Sequence, residues 1–365
     1  MCFRRIVCGM IKDCFERLYV RWVLKKRFFK SQKNTFSLPP EMIRKATRMG
    51  FTADEFVIYN LKKNNPSDYL TEFERYRLRL RLRESRILMD NKVIFNQLLS
   101  NFAPVNKIFA YKKGNQIVPL CPEWKRYESP LDFIMNQSVV CFKKIFGGGG
   151  EGFHLLGFDE KNFLMDKTIC SADQINSLLS DSKDWLLEEY CKQSEFANSL
   201  FAGSLNTLRI ITILDADDKP TVLAALMRMG ANESVCVDNA SQGGVFSDID
   251  IQTGQMYAAI CSYSAQWLRT SGNDINTYST HPITGAPIEG VIIPDWEIIK
   301  SQIQSFHEHL LYTGVSFIAW DIALTDDGIR IVEGNTSCGL GLLQRRGGQR
   351  HKALGDYYRR MGIIK

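Results

Sequence analysis

The sequence predicts an α+β protein of two α+β lobes preceded by a helical N-terminal extension. Three observations predict it. Helical periodicity fills residues 41–99, β runs dominate from Val105 onward, and turn residues closely separate the later β runs, which makes their sheet largely antiparallel. A chain of 365 residues, 45% hydrophobic and 24% charged, buries a full core and is long enough for two or three lobes.

Residues 1–37 stand apart. In 1–35 the cations Arg4, Arg5, Lys12, Arg17, Arg21, Lys25, Lys26, Arg27, Lys30 and Lys33 face only Asp13 and Glu16, with apolar residues such as Met10, Phe15, Leu18 and Trp22 between them. The pattern predicts a basic amphipathic helix that docks on the anionic inner face of the cytoplasmic membrane or on a membrane-bound partner; a solvated helix packed on the body fits equally well. Arg17 and Arg21 break the apolar run, so neither a signal peptide nor a bilayer span is expected. The net charge of +6 is mild, and no module interleaves basic and aromatic residues for nucleic acid. Ten scattered cysteines without a C-x-x-C read as buried thiols in a reducing, cytoplasmic compartment.

Leu38-Pro39-Pro40 closes this segment and opens a helical region over 38–104. Between Thr71 and Arg86, arginines at 75, 77, 79, 81 and 83 alternate with a period of two, yet the Glu72 and Glu74 opening and the lack of turns predict a helix with a basic face. Strands follow at 107–111, 138–142, 185–190, 207–214, 221–229 and 235–238, and a helix at 298–312.

The most informative stretch is Phe317-Ile318-Ala319-Trp320-Asp321, then Asp326-Asp327-Gly328, then Ile329-Arg330-Ile331-Val332-Glu333-Gly334-Asn335. A three-residue loop at 326–328 pairs Thr325 with Ile329, and counting back four on each strand sets Asp321 opposite Glu333, with Asn335 on the same face. Two carboxylates and an amide on one face repel unless a cation sits between them, and hard oxygen donors suit Mg²⁺ bridging to phosphate. The alternative is the solvent side of an edge hairpin, which the strongly apolar strands oppose.

A second constellation is Phe142-Lys143-Lys144-Ile145-Phe146 running into the glycine stretch 147–152, with Gly148, Gly149 and Gly150 at its centre. Backbone N–H groups of such a loop approach phosphate closely, and a lysine at the strand end neutralises it. No Lys-Ser or Lys-Thr follows, so this is no P-loop, and 153–156 and 162–165 read as strands where a dinucleotide fold needs a helix. Glu188 and Glu189 end an apolar strand, while Arg209 and Arg228 stand at strand ends, able to grip a phosphate or carboxylate bidentately. The five histidines offer no metal or nucleophile spacing; His281 alone sits in a turn-rich loop, where a plain loop histidine is the first reading.

With these residues in line, the sequence resembles the ATP-grasp superfamily and is most similar to its sugar-transfer-associated members of bacterial polysaccharide biosynthesis. The likeness runs from about Met89 to about Leu343. It is carried by Ser204-Leu205-Asn206-Thr207-Leu208-Arg209, by Val237-Asp238-Asn239 through Gly243-Gly244, by His281 to Pro294, and by Trp320-Asp321 through Asn335. The resemblance implies the ATP-grasp fold, with a small lobe and flap at 105–200 and a large lobe with the metal site at 201–365. It implies ATP and Mg²⁺ as cofactors, with Lys92 and either Lys143 or Lys144 on the phosphates. It also implies Glu188 and Glu189 as the adenine hinge, Glu195 on ribose, and Asp321, Glu333 and Asn335 as magnesium ligands. Arg209 corresponds to the arginine near the transferred phosphate, Arg228 to a basic position of peptide-forming relatives, and Asn239 and His281 to substrate positions.

The implied activity is a carboxylate–amine ligase acting through an acyl phosphate, joining an amine to a uronic-acid sugar, with the glycine flap excluding water. A kinase acting on a hydroxyl and a non-catalytic, membrane-docked nucleotide-binding component are the alternatives.

Overall fold

Among the described residues, two antiparallel sheets of seven strands each organise the chain. The computed structural model describes residues 15, 18, 19, 22, 23, 34–232, 236–238, 243–261 and 277–365. Most of the basic N-terminal segment therefore lies outside the described residues, as does most of the loop around Asn239. The described members of the segment are helical, and Phe15, Leu18, Tyr19 and Trp22, at helical spacing, are exposed. Among the described residues no helix is long and apolar enough to cross a membrane.

The first sheet holds β1 (Ile108–Lys113), β2 (Gln116–Pro119), β3 (Val139–Lys144), β4 (His154–Phe158), β5 (Phe163–Met165), β6 (Thr168–Cys170) and β7 (Asp184–Glu189), in the order β2-β1-β7-β3-β4-β5-β6. Alternation decides its faces. Val140 and Phe142 of β3 join Trp185 and Leu187 of β7 in a core under helices Pro130–Met135 and Ala172–Asp181. Each large apolar side chain so buried contributes about 1.5–3 kcal/mol. Cys141 and Lys143, and Leu186 and Glu188, consequently point to the opposite face.

The second sheet holds β8 (Thr207–Leu214), β9 (Pro220–Met229), β10 (Val245–Ile249), β11 (Ala259–Cys261), β12 (Thr277–Tyr278), β13 (Phe317–Thr325) and β14 (Gly328–Asn335), in the order β12-β11-β10-β9-β8-β13-β14. One face packs on helices Lys92–Leu99 and Trp296–His309 through Phe95, Trp296, Ile303 and Trp320. The other is covered at one end by helices Glu72–Arg81 and Ala353–Arg360 through Leu78, Leu354 and Tyr357.

The alternating arginines do lie in a helix, Glu72–Arg81, because Thr71 and Glu74 cap each other's backbone in a capping box and Leu78 and Leu82 seek the core. The helix read at 298–312 runs Trp296–His309; Leu311–Thr313 tightens to a 3₁₀ turn that Gly314 ends in a left-handed conformation. Of the run read at 235–238, residue 235 is outside the described residues and Val237 forms only an isolated bridge to Leu205.

Candidate active site

The hairpin β13–β14 departs locally from the predicted pairing and then restores it. Thr325 pairs with Gly328, not with Ile329, so the loop is one residue shorter than expected. A bulge between Asp321 and Ile322 on one strand, and Ile331 and Glu333 on the other, inserts Val332 and takes up the difference. Asp321 consequently still faces Glu333, and Asn335 Nδ2 lies 3.4 Å from Glu333 Oε1.

Asp321 continues a cross-strand row. It pairs with Arg209 on β8, and Thr207, two residues before Arg209 on the same face, pairs with Arg228 on β9. Arg209 grips Asp321 with both Nε and Nη2, the latter 2.8 Å from Oδ2. Arg228 lies 3.3 Å from Asp321 and 3.4 Å from Asp238, and donates from Nε to Thr207 Oγ1 at 2.9 Å. Thr207 Oγ1 in turn donates to Asp238 Oδ2 at 2.5 Å. Neither Thr207 nor Asp238 stood out in the sequence as a site residue; the signal available was the alternation of Thr207 with Arg209.

Lys92 reaches the same place from a helix. Asn91 caps that helix by accepting from the N–H groups of Val93 and Ile94, which explains why Asn91 separates Asp90 from Lys92. Phe95, one turn on, packs so closely on β14 that a Cβ at Gly334 would lie 2.5 Å from its ring. Glycine between Glu333 and Asn335 thus lets the helix approach, and Lys92 Nζ comes to 3.3 Å from Glu333 and 2.8 Å from the carbonyl of Gly147.

From the small lobe, Lys143 forms a buried ion pair with Glu188 on the neighbouring strand and lies 5.8 Å from the ring centre of Phe153. Lys144 turns instead to Glu151 within the flap, as strand alternation requires. Gly149 and Gly150 are left-handed, with φ of 72° and 76°, so side chains there would strain the turn. An open cavity lies between the sheets, lined among others by Lys92, Lys143, Gly148, Gly149, Gly150, Thr207, Arg228, Asp321 and Glu333. A second, lined by Cys141, Lys143, Phe153, Glu188, Tyr190 and Cys191, adjoins it.

Several predicted site residues sit elsewhere. The N–H of Glu189 is given to the carbonyl of Lys107, so Tyr190 and Cys191, just past the strand, line the second cavity in its place. Glu195 is exposed at the start of helix Glu195–Leu200, where its N–H bonds Asp326, and it lines neither cavity. His281 is buried, with Nε2 2.8 Å from the carbonyl of Gly230 and Nδ1 accepting from Ile283 and Thr284, so both ring nitrogens are used within the fold. Burial holds its pKa below the ordinary value, so it stays neutral. Asn239 lies outside the described residues.

The electrostatics of the cleft are balanced. Lys92, Lys143, Arg209 and Arg228 pair with Glu333, Glu188, Asp321 and Asp238. Burial pushes Asp321 up to about 6 against the pull of Arg209 and Arg228, which leaves it ionised at neutral pH. Burial also pushes Glu333 up, but Lys92 and the other cations more than reverse this and hold it well below the usual carboxylate range. Lys143, which burial alone would depress, is held above its ordinary value by Glu188. A bare polyphosphate entering here meets cations already paired, and carboxylates that repel it.

The donor set fits a hard divalent cation. Asp321, Glu333 and Asn335 offer two carboxylates and an amide; Asp321 Oδ2 takes both Arg209 and Arg228, while Asp321 Oδ1 and the Glu333 oxygens, with one partner each, retain a lone pair. Among the described residues no three His, Cys, Asp or Glu side chains form a cage. Mg²⁺ keeps water and phosphate oxygens in its shell and takes only one or two carboxylates from protein, the number Asp321 and Glu333 could supply.

A glycine loop and lysines on one antiparallel sheet face an acidic hairpin and arginines on another, the architecture of an ATP-grasp fold. The chain belongs to the sugar-transfer associated ATP-grasp family, whose model matches residues 72–353. It is also similar to solved structures of the ATP-grasp ligase PsnB complexed with minimal precursor (16% identity over 76% of this chain and 62% of that chain, TM-score 0.36). A second is the ADP complex of N5-carboxyaminoimidazole ribonucleotide synthetase (13%, 74% and 53%, 0.38). A third is D-alanyl-alanine synthetase A from Vibrio cholerae O1 biovar eltor (12%, 76% and 64%, 0.41). The chain thus spans between 53% and 64% of the length of these three. No curated protein matches it.

Proposed function

We propose that the protein is an ATP- and Mg²⁺-dependent carboxylate–amine ligase that activates a uronic-acid sugar as an acyl phosphate and passes it to an amine. The observation that carries this reading is the cross-strand row of Glu333, Asp321 and Arg209, with Lys92 joining Glu333 to the carbonyl of Gly147 in the glycine loop. Asp321, Glu333 and Asn335 would hold Mg²⁺, which supplies charge neutralisation at the phosphates. Lys143 and Lys92 bind phosphate oxygens, exchanging carboxylate partners for them. The adenine occupies the cavity beside Tyr190 and Cys191. Arg209 and Arg228 orient the substrate carboxylate for attack on the γ-phosphorus; a carbon–oxygen–phosphorus link forms as the bond to ADP breaks. The flap at 147–152 excludes the water that would hydrolyse the product, and an amine then displaces phosphate.

ADP release measured with uronates, with and without amino acids, tests the reading. Dependence on both co-substrates is expected; dependence on a hydroxyl acceptor alone would make the protein a kinase, and silence throughout a non-catalytic component. The exposed stripe Phe15, Leu18, Tyr19 and Trp22 and the cations around it support peripheral docking on an anionic membrane. Removing residues 1–35 is expected to abolish cosedimentation with phosphatidylserine vesicles, and unchanged cosedimentation would end that idea.

A further inference from the structure

Thr207 and Asp238 come from separate stretches of the sequence and meet at Arg228. The bridge between Leu205 and Val237 runs parallel and carries Asp238 alongside Thr207. A side chain at Gly244 would run into the carbonyl of Asp238, so glycine there lets the segment close in. Both Thr207 and Asp238 are buried, and both line the cleft beside Arg228.

The hydrogen bonds among the three can run in one direction only. Thr207 Oγ1 lies 2.9 Å from Nε and 2.5 Å from Nη2 of Arg228. A guanidinium has donors and no acceptor, so the hydroxyl accepts from it and gives its single hydrogen to Asp238 Oδ2, which also takes the Thr207 N–H at 2.9 Å. Both lone pairs and the one hydrogen of the hydroxyl are thereby used. One edge of Arg228, Nε with Nη2, is tied back to the sheet, while Nη1 makes no hydrogen bond among the described residues. The strand end is fixed as well: Asn206 Oδ1 accepts from the N–H of Gly230 at 3.1 Å, and His281 Nε2 donates to the carbonyl of Gly230 at 2.8 Å. Arg209 differs, giving its side-chain hydrogen bonds to Asp321 alone. Arg228 therefore keeps an anchor that does not depend on Asp321.

We propose that Thr207 and Asp238 are positioning residues, which lock the guanidinium of Arg228 so that its Nη1 edge meets the carboxylate of the acyl substrate. A side chain already held in place loses less rotamer freedom when it grips an anion, and buried bonds of this kind hold it more firmly than bonds in water. The identity of the anion rests on the ligase reading. The lock on Arg228 does not.

The test combines NMR of the full chain carrying isotope-labelled arginine with ADP-release kinetics. The Nε–H signal of Arg228, identified by its loss in Arg228→Lys, is expected to exchange with water far more slowly than those of exposed arginines. Thr207→Val, which removes the hydroxyl and keeps the shape, is expected to make that exchange fast. It should also raise KM for the uronate by about tenfold while KM for Mg·ATP stays within about twofold, the scale of freeing one ordered side chain. Thr207→Ser, which restores the hydroxyl, is expected to rescue both readouts, and Asp238→Asn, which leaves Thr207 in place, should raise the uronate KM in the same selective way. Fast exchange in the wild type, exchange that stays slow in Thr207→Val, or two KM values that rise together or not at all would overturn the proposal. Slow exchange that Thr207→Val abolishes, with no ADP release from any uronate, supports the lock and sinks the ligase reading instead.

Discussion

Glu333→Gln is expected to cut ADP release by roughly 10²–10³ while leaving the fold intact, the scale seen when one preorganised electrostatic contact to a transition state is removed. The substitution keeps side-chain size and the contact with Asn335, and Lys92 retains the carbonyl of Gly147. What it removes is a negative charge that Lys92 balances in the empty cleft and that a divalent cation would meet in the loaded one. Its sign is therefore testable apart from turnover. Without Mg²⁺, ATP should bind the variant at least as tightly as the wild type, because a carboxylate that repels phosphate is gone and Lys92 is released. With Mg²⁺, the wild type should gain affinity and the variant should gain little. Calorimetric titration with and without the metal reads both, and near-normal turnover or an unchanged magnesium response would remove Glu333 from the metal site.

The sequence disclosed what local spacing controls. The apolar runs at 317–321 and 329–335 and the count back from the turn between them placed Asp321 opposite Glu333, and the result held although the loop is shorter than expected, because a bulge at Val332 compensated. That compensation has no local signal; it follows from the burial of both strands, where a one-residue slip would turn Asp321 and Glu333 to the wrong face. Strand β10 escaped notice since Val245-Phe246-Ser247-Asp248-Ile249 is short, interrupted by polar residues, and gains its place from β9. Long-range pairs were equally hidden. Lys143 meets Glu188 across 45 residues and Thr207 meets Asp238 across 31, distances over which spacing carries no information. Lys92 enters the site only because Gly334 admits Phe95, a packing fact that a glycine in a strand hints at without naming the partner.

The pair Lys143–Glu188 separates a structural role from a binding one. Lys143→Met leaves the Glu188 carboxylate, 5% exposed, without its counter-ion, and the loss expected for a broken buried pair is about 3–5 kcal/mol. Adding Glu188→Gln replaces both charges by neutral groups, and Asn106 Nδ2, 3.2 Å from Glu188 Oε1, still finds an amide oxygen to bond. Most of the lost stability should return, since removing a buried ion pair entirely is close to neutral. Nucleotide affinity should not return, because the charge that meets phosphate is still missing. Glu188→Gln alone completes the argument: it frees Lys143 from its competitor, so the variant should be less stable than wild type when empty and should bind Mg·ATP more tightly. Denaturant unfolding and nucleotide titration of the three variants read these orders directly. If the double variant bound nucleotide as the wild type does, Lys143 would be a packing residue of the small lobe, and phosphate recognition would fall to Lys92 and the glycine loop.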